Sequence, residues 1–273
     1  PLKTDFNGKT IITNPMPSPG GTLIAFALKI ISQKFPGKEI DNRLLTLVMR
    51  SAQTARSEIM SAKNRTGSLA KILGPNYFKR YLDLFDSEIF LKPNKEKPGS
   101  GSTTHMSVID SQGNAASVTT TNGEGCGYII PDTGIMMNNI LGEEDLNPDG
   151  FHNWETTKRM ETMMSPTIVI GDFGPELVLG SGGSNRIRSA IKQVILNKFT
   201  KDMNLEEAIQ APRIHLEENI IHCESGINTA KLSFPWSTIH HWHEKNLFFG
   251  GVNAVTPTNA VGDPRRSGYG LVR

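Results

Sequence analysis

The feature that most constrains the fold is an abrupt change of character at Ser102. The segment 91–102, LKPNKEKPGSGS, is rich in Pro, Gly, Ser and Lys and lacks apolar periodicity, which predicts an exposed, flexible linker. THMSVID and NAASVTTTN follow, two runs of alternating side-chain type around the turn SQG, and this pattern indicates a β-hairpin. We therefore expect residues 1–102 and 103–273 to be two segments of one structural domain.

The first segment is predicted to be mostly helical. A rigid turn, NPMPSPGG, precedes an apolar helix over 22–33, and Asp41 can cap a second helix. The apolar residues of that second helix recur every three or four positions, at Leu44, Leu45, Val48, Met49, Ala52 and Ala55. A shorter helix is predicted over 77–85. Arg56 and Glu58, near a helix end, are expected to form local ion pairs.

The second segment is predicted to mix strands and helices. GYIIPDTGIMMNN and SPTIVIGDFGPELVLG should supply further strands after the hairpin. A helix is predicted to begin near Asn185, and another at Asn204, where Glu207 completes a capping box. Strand-like pieces return around 251–255 and 269–272. This order of helices and strands predicts helical layers packed on sheets.

The charge pattern and the apolar runs argue against two classes of protein. The formal net charge is +2, with acids and bases mixed along the chain, whereas a nucleic-acid-binding protein would show a basic stripe. No apolar run reaches the roughly 18 residues that span a bilayer, and the longest, 22–31, is interrupted by Lys29. No signal peptide is visible at Pro1, but the chain begins without Met, so the sequence leaves the compartment open.

Thr103, where the predicted hairpin begins, is the candidate nucleophile. A threonine hydroxyl is a weak nucleophile at neutral pH and needs an adjacent base. If the Ser102–Thr103 bond is cut, Thr103 gains a free α-amine with a reference pKa of about 8, which can accept the hydroxyl proton. The flexible linker leaves that bond free to distort. The simpler interpretation is that the two threonines are ordinary strand formers.

Two glycine-rich stretches can complete such a site. GSGGSNRI, at 180–187, is a turn at a helix start whose backbone N–H groups can hold a phosphate or the oxyanion of a tetrahedral intermediate. It is not a Walker loop, because no Lys-Ser/Thr follows the glycines. TTTNGEGCG leaves a strand at 119–127, and Thr121 faces the same space as Thr103 if the hairpin pairs their strands. A plain helix entry and an ordinary hairpin exit are the alternatives.

Cysteine and histidine residues give weaker signals. Cys126 and Cys223 have neither a disulfide-framework nor a metal-site spacing, so two buried free thiols are expected, with a nucleophilic Cys126 as the alternative. In HHWHE, His240 with His243 or Glu244 has the helical spacing of metal ligands, but no third ligand follows. That favours a surface or interface aromatic cluster. No metal and no cofactor are predicted.

Taken together, these stretches resemble the γ-glutamyltranspeptidase family over nearly the whole chain. NPMPSPGG and ARSE are similar to a Pro-rich turn and an Ala-Asp-Arg-Ser segment of that family. TTHMSVIDSQGNAASVTTT is similar to the start of the family's small subunit. GIMMNN, KRMETMMSPTIV, LVLGSGGSNRI, EAIQAPRIH and GDPRRSGYG follow in the family's order.

The resemblance implies a fold and a reaction. The fold is α+β, an N-terminal nucleophile hydrolase-like αββα four-layer sandwich with two stacked antiparallel sheets between helical layers. The chain is expected to cleave itself between Ser102 and Thr103 into large and small segments that stay associated. Thr103 then attacks the γ-glutamyl amide of a glutathione-like substrate, and water, an amino acid or a peptide takes the acyl group.

The resemblance also assigns site residues. Thr121 matches the threonine that hydrogen-bonds the nucleophile. Gly183 and Ser184 match the residues whose N–H groups form the oxyanion hole, and a one-residue shift to Gly182 and Gly183 is the alternative. The positions that hold the substrate's α-amine and α-carboxylate in better-known members differ in residue type here, and they are Gly123, Ile140, Glu143, Thr162 and Met163.

These departures predict weaker recognition of an amino-acid head group, since each charge-assisted hydrogen bond contributes about 1.5–3 kcal/mol. Glu143 keeps one carboxylate. The loop at 144–159 is expected to be shorter than in members with a lid. The family's N-terminal part, with its substrate-pairing arginine, has no match in this sequence, so we expect either a fragment or a trimmed protein of a divergent branch. Three functions stay open: a γ-glutamyl transferase or hydrolase, an acylase or γ-linked polymer hydrolase, and a non-catalytic scaffold.

Overall fold

The protein is described from a computed structural model, which covers residues 1–16, 18–60, 71–87, 102–142, 147, 150–153, 156–157 and 159–273. The helices in these residues are α1 Pro19–Lys34, α2 Asn42–Met60, α3 Pro75–Ser87, α4 Ile187–Thr200 and α5 Leu205–Gln210. The strands are β1 Leu2–Phe6, β2 Lys9–Thr13, β3 Thr103–Ile109, β4 Ala115–Thr121, β5 Thr167–Gly171, β6 Gly174–Gly182, β7 Ile214–Glu217, β8 Ile220–Cys223, β9 Thr238–His241, β10 Gly251–Val255 and β11 Ala260–Val261. The predicted linker lies outside the described residues except for Ser102.

A six-stranded antiparallel sheet forms the centre of the fold. Its strand order is β1-β2-β5-β6-β10-β11, so β2 joins the sheet beside a strand more than 150 residues away in sequence. The side chains of β6 are buried from Leu177 onward, because helices cover one face of this sheet and a hairpin covers the other. The end of β6 is therefore held between two layers, and the candidate site lies there.

The helical layer packs on one face of the central sheet. Helix α1 contacts β1, α2 and α4, and it is apolar on most faces because it is enclosed by them. Helix α4 packs directly on β6 and β10. Both capping predictions are confirmed: Asp41 Oδ1 accepts from the Leu44 N–H at 2.8 Å, and Asn204 with Glu207 forms a capping box before α5. The core of the protein lies between these helices and the sheet.

The β3–β4 hairpin packs on the opposite face of the central sheet. Hydrogen bonds join the two layers: Ser117 Oγ donates to Leu179 O at 3.1 Å, and Asn253 Nδ2 donates to His105 O at 2.9 Å. Helices and stacked antiparallel sheets confirm the predicted α+β class. Within the described residues the layers run helix, sheet, sheet, and no described helix covers the outer face of the hairpin, where Met106 and Val108 are exposed.

The structure corrects several sequence predictions. The first residues are not helical, because β1 and β2 form a hairpin around Asn7 and Gly8, whose φ angles of 48° and 74° suit a two-residue turn. GYIIPDTGIMMNN forms only one isolated bridge, between Ile129 and Met136, and 269–272 is not a strand. HHWHE is not a helix either, because β9 pairs in parallel with β8 in a three-stranded sheet with β7.

Among the described residues, no helix is both long and apolar enough to cross a lipid bilayer.

Candidate active site

The hairpin brings Thr103 and Thr121 together. The two residues lie directly opposite each other in the β3–β4 register, and Thr103 Oγ1 donates to Thr121 Oγ1 at 3.0 Å. Because side chains alternate along a strand, both hydroxyls lie on the face that packs against the central sheet. The backbone N–H of Gly123 donates to the same Thr121 oxygen at 3.0 Å, which fixes its position. The predicted proximity of these two threonine side chains is confirmed, and their catalytic roles stay predictions.

The residue before Thr103 is held in place as well. Ser102 N donates to Gly123 O at 2.6 Å, and Ser102 Oγ donates to the same carbonyl at 2.9 Å. Gly123 has a φ of 65°, a conformation that glycine adopts without steric cost, and this turns the chain back toward the junction. The Ser102–Thr103 peptide bond therefore lies between fixed anchors on both sides.

The glycine-rich turn meets the same point. A Cβ atom added to Gly182 would overlap the carbonyl oxygen of Thr103 and lie 3.0 Å from its carbonyl carbon, so the backbones touch. The following residues leave β6 with unusual backbone angles, since Gly183 has a φ of 121° and Ser184 a φ of 48°. The predicted turn thus lies beside the predicted nucleophile. Which pair of N–H groups would bind an oxyanion, 182–183 or 183–184, stays a prediction.

Behind Thr103, the inward face of the hairpin continues as a polar chain. His105 is buried, and its ring nitrogens contact Thr119 Oγ1 and Ser107 Oγ, both at 2.8 Å. Burial lowers the pKa of His105 to about 4, so its ring is neutral at neutral pH. The imidazole packs on Gly180, where a Cβ would collide with it. The sequence analysis did not single out His105. The signal that could have identified it is its spacing of two from Thr103, which places both side chains on one face of the strand.

Three arginines lie around the turn, and the sequence prediction gave a role at the site to none of them. Arg56 Nη1 donates to Asn185 Oδ1 at 2.9 Å in a buried contact across the fold. Arg266 Nη1 lies 3.5 Å from the same Cβ position at Gly182. Burial lowers the pKa of Arg266, and the charge of Arg186 adds to that effect, so these two guanidinium groups are close enough to repel. Three guanidinium groups therefore lie around the turn.

The ion pair predicted for Glu58 forms with a residue of helix α3, whereas that of Arg56 stays a prediction. Glu58 pairs with Arg80 at 2.8 Å and accepts from Tyr81 Oη at 2.5 Å, both on α3. These contacts tie α2 to α3. Arg56 faces the turn.

The predicted substrate-binding residues lie at different distances from the Thr103 site. Gly123 is at the site. Ile140 begins a short 3-10 turn over 140–142, and Asn139 next to it bonds to the backbone on both sides of Gly123. Thr162 lies near the start of α1, where its carbonyl accepts from Ser18 Oγ at 2.5 Å.

Two further substrate-binding predictions gain no support from a described side-chain position. Met163 is 4% exposed and belongs to the hydrophobic core, so its side chain is not presented to a ligand. Glu143 and most of the predicted short loop lie outside the described residues. Binding by these positions stays a prediction.

The weaker candidates form no second site. Cys126 is exposed, contrary to the expectation of burial, whereas Cys223 is buried and burial raises its pKa to about 11. His240 lies on β9 opposite His222, with ring centroids 5.3 Å apart, in an aromatic cluster. In the part of the chain that the structure describes, no group of three His, Cys, Asp or Glu residues could hold a metal ion.

Comparison with known proteins adds an independent line of evidence. The family model described as gamma-glutamyltranspeptidase matches residues 1–272. The glutathione hydrolase proenzyme of Bacillus subtilis is 31% identical over 286 residues, covering 94% of this chain and 49% of that protein. The capsule biosynthesis protein CapD proenzyme of Bacillus anthracis is 28% identical over 295 residues, covering 98% of this chain and 52% of that protein.

A solved structure matches over the whole chain. The cephalosporin acylase of Bacillus halodurans has a TM-score of 0.74 with 18% identity and covers 99% of this chain and 52% of its own, which shows the shared fold alone. The α+β fold, with stacked antiparallel sheets beside a helical layer, is of the N-terminal nucleophile hydrolase type, as in solved γ-glutamyltranspeptidase structures that are 27% and 31% identical to this chain. Within that class, the chain belongs to the γ-glutamyltranspeptidase family. It spans about half the length of the curated relatives it matches.

Proposed function

We propose that this chain carries the catalytic centre of a γ-glutamyltranspeptidase-like enzyme that cleaves itself before Thr103 and uses the new N-terminus as nucleophile. The observation that carries the proposal is the 3.0 Å contact between the Thr103 and Thr121 hydroxyls, at the point where Gly182 touches the Thr103 backbone. Nucleophile, orienting hydroxyl and candidate oxyanion turn thus come from three separate sequence segments that meet.

The self-cleavage step follows from this placement. Thr103 Oγ1 attacks the carbonyl carbon of Ser102, the C–N bond to Thr103 breaks, and an ester replaces the amide while the amine takes a proton. Water then hydrolyses the ester, leaving a carboxylate on Ser102 and restoring the hydroxyl. The two hydrogen bonds from Ser102 to Gly123 O hold the scissile unit in one orientation, which favours attack by proximity.

The turnover step uses the same atoms. The free α-amine of Thr103, with a reference pKa of about 8, accepts the hydroxyl proton as Oγ1 attacks the substrate amide. Thr121 orients the attacking oxygen. Backbone N–H groups of the turn at 182–184 stabilise the negative charge on the carbonyl oxygen, a contribution of about 10²–10³ in kcat for each donor in other enzymes. The C–N bond of the substrate amide then breaks, the leaving amine takes the proton from the α-ammonium, and an ester to Thr103 Oγ1 remains as the acyl-enzyme. Water, an amino acid or a peptide attacks this ester, accepts the acyl group and restores the Thr103 hydroxyl.

A γ-glutamyl donor is the substrate class that fits best. Arg186 and Arg266 place guanidinium groups beside the turn. Such groups form charge-assisted hydrogen bonds with carboxylates, which suits a donor with a free carboxylate near the scissile amide. Glutathione-like compounds have that group, and the curated relative from Bacillus subtilis is a glutathione hydrolase proenzyme.

A second function is favoured by the changed head-group positions. Gly123 offers no side chain, and Met163 is in the core, so few polar side chains are left at these positions to hold a substrate α-amine. An acylase or a hydrolase of a γ-linked polymer needs no such contact.

Trapping the acyl-enzyme tests the proposal. Wild-type protein and Thr103→Ala are mixed with a γ-glutamyl anilide or with an acyl anilide that lacks the α-amine, and the fragments are weighed by mass spectrometry. We expect a glutamyl mass increase on the wild-type fragment that begins at Thr103, and none on the variant. A preference for the second anilide would select the alternative function. If neither compound gives an adduct, both enzymatic functions are excluded and the non-catalytic scaffold is the function that remains.

A further inference from the structure

The turn at 182–184, the proposed oxyanion turn, has backbone angles that need support from the surrounding structure. Gly183 at φ 121° and Ser184 at φ 48° occupy backbone regions that cost free energy, and Ser184 has a side chain that makes the left-handed conformation unfavourable. Such conformations persist only when the surrounding structure fixes them. The residues that fix this turn therefore matter for the reaction that the turn is proposed to catalyse.

Arg186 connects the turn to a group of aromatic side chains. Its backbone N–H donates to Gly183 O at 2.9 Å and closes the turn. Its side chain is 3% exposed, and Nε donates to Phe248 O at 3.0 Å. The guanidinium carbon lies 4.9 Å from the centre of the Phe248 ring, which is a cation–π distance.

Further rings support Phe248 from behind. The Phe248 ring stacks on Trp242 with centroids 4.9 Å apart and planes 20° from parallel. The indole N–H of Trp242 donates to His222 Nδ1 at 3.2 Å, which fixes the indole on the three-stranded sheet. Burial lowers the pKa of His222 to about 4, with the charges of His240 and Arg186 adding to the effect, so the ring is neutral and can accept this bond.

The backbone of the same segment also touches the turn. Gly250, two residues after Phe248, has a Cα that would lie 2.9 Å from a Cβ added at Gly183. The segment 247–250 therefore contacts the turn twice, once through Gly250 and once through the Arg186 guanidinium.

We propose that Phe248 and Trp242 are positioning residues that hold the oxyanion turn in its active shape through Arg186. The inference rests on the proposed function, because it assigns these residues a role in that reaction. They touch neither Thr103 nor, in this account, the substrate. Their loss would let the turn relax toward ordinary backbone angles and move its N–H groups away from the developing charge.

A second stack of an arginine, a phenylalanine and a tryptophan lies away from the turn and can serve as a control. Arg43 lies 4.4 Å over the ring of Phe234, and Phe234 stacks on Trp236 with centroids 4.8 Å apart and planes 22° from parallel. The same three residue types are thus arranged in the same way on α2 and the loop after β8. Phe234→Leu is therefore a control for loss of an Arg–Phe–Trp stack without an effect on the turn.

The experiment compares Phe248→Leu, Phe248→Tyr and Phe234→Leu in steady-state turnover of a γ-glutamyl anilide. For Phe248→Leu we expect kcat to fall about tenfold, because donors are misaligned rather than removed, while KM stays within twofold. Phe248→Tyr keeps the ring and should restore most of kcat. Phe234→Leu should lose at least as much thermal stability, because Phe234 is buried and Phe248 is half-buried, but should keep kcat within twofold.

Each outcome decides the proposal. Equal kcat values for Phe248→Leu and Phe234→Leu, or a loss expressed in KM alone, would overturn the positioning role while leaving the proposed function intact. Absence of Thr103-dependent turnover in the wild-type protein would overturn both. If Phe248→Leu does not fold, Trp242→Leu replaces it, with an expected fall in kcat of about threefold, and a kcat equal to that of Phe234→Leu would again contradict the inference.

Discussion

The contact between Gly182 and Thr103 yields a quantitative prediction for Gly182→Ala. Gly182 does not have a positive φ, so alanine is acceptable to the backbone and the only new feature is the methyl group. That methyl would overlap the carbonyl oxygen of Thr103, a backbone atom that cannot rotate away. To restore an ordinary van der Waals contact, the start of β3 must move by about 1 Å.

The effect of such a displacement on the reaction rate can be given an order of magnitude. A shift of about 1 Å in the position of a reacting group costs roughly 10²-fold in rate. We therefore expect Gly182→Ala to slow both self-cleavage and turnover by about a hundredfold. Self-cleavage is measured by following the two fragments on a denaturing gel after synthesis, and turnover by anilide release at saturating substrate.

Gly113→Ala is the control for this prediction. Gly113 lies in the turn of the same hairpin with a φ of 81°, so alanine there is strained by about 1 kcal/mol, but no atom lies within 4 Å of the added Cβ. This variant should lose stability and keep its cleavage rate. If Gly182→Ala cleaves itself as fast as Gly113→Ala, the turn is not pressed against Thr103 and the site described here is wrong.

Three further predictions follow from single residues. Thr121→Val removes the hydroxyl that contacts Thr103 and should lower kcat by about tenfold to a hundredfold, with an unchanged circular dichroism spectrum. Ser184→Gly relieves a φ of 48° and should raise the free energy of unfolding in urea by about 1 kcal/mol. Burial, to which the charge of Arg188 adds, lowers the pKa of Lys192 to about 7 in the folded protein. Above that pH the Lys192 amine is neutral in the folded protein but still protonated in the unfolded chain, so the unfolded chain binds one more proton. Stability should therefore rise between pH 7 and 10, and Lys192→Met should abolish that rise in chemical denaturation.

Local patterns were sufficient to predict the hairpin on which the proposed chemistry depends and two of the helix caps. Alternation on both sides of SQG fixed the β3–β4 hairpin, and that register alone placed Thr103 opposite Thr121. The capping residues Asp41 and Asn204 were read correctly because a cap depends on side chains within three positions.

What the sequence did not reveal depends on contacts between distant segments. Arg56 meets Asn185 across 129 positions, and no spacing rule connects them. HHWHE has a helical spacing, but pairing of β9 with β8 decides its conformation, since strand formation depends on the neighbouring strand. The family resemblance gave Met163 a role in substrate binding, which stays a prediction. The burial of its side chain beside α1 depends on tertiary packing, which the motif does not show.

One early error had a local signal. The first hairpin contains Asn7-Gly8 between alternating residues, which is a strong indication of a two-residue turn. The prediction of a mostly helical first segment did not use this signal, so β1 and β2 were not predicted as the edge of the central sheet.

The most direct test of the account is the covalent state of the bond between Ser102 and Thr103. Intact-mass and N-terminal analysis of the purified protein should find two associated fragments, one beginning at Thr103, and a single uncut chain for Thr103→Ala. Fragments of the same kind and amount from Thr103→Ala, or a wild-type protein that stays uncut yet turns over substrate, would contradict the claim that Thr103 becomes a nucleophile by becoming a chain end.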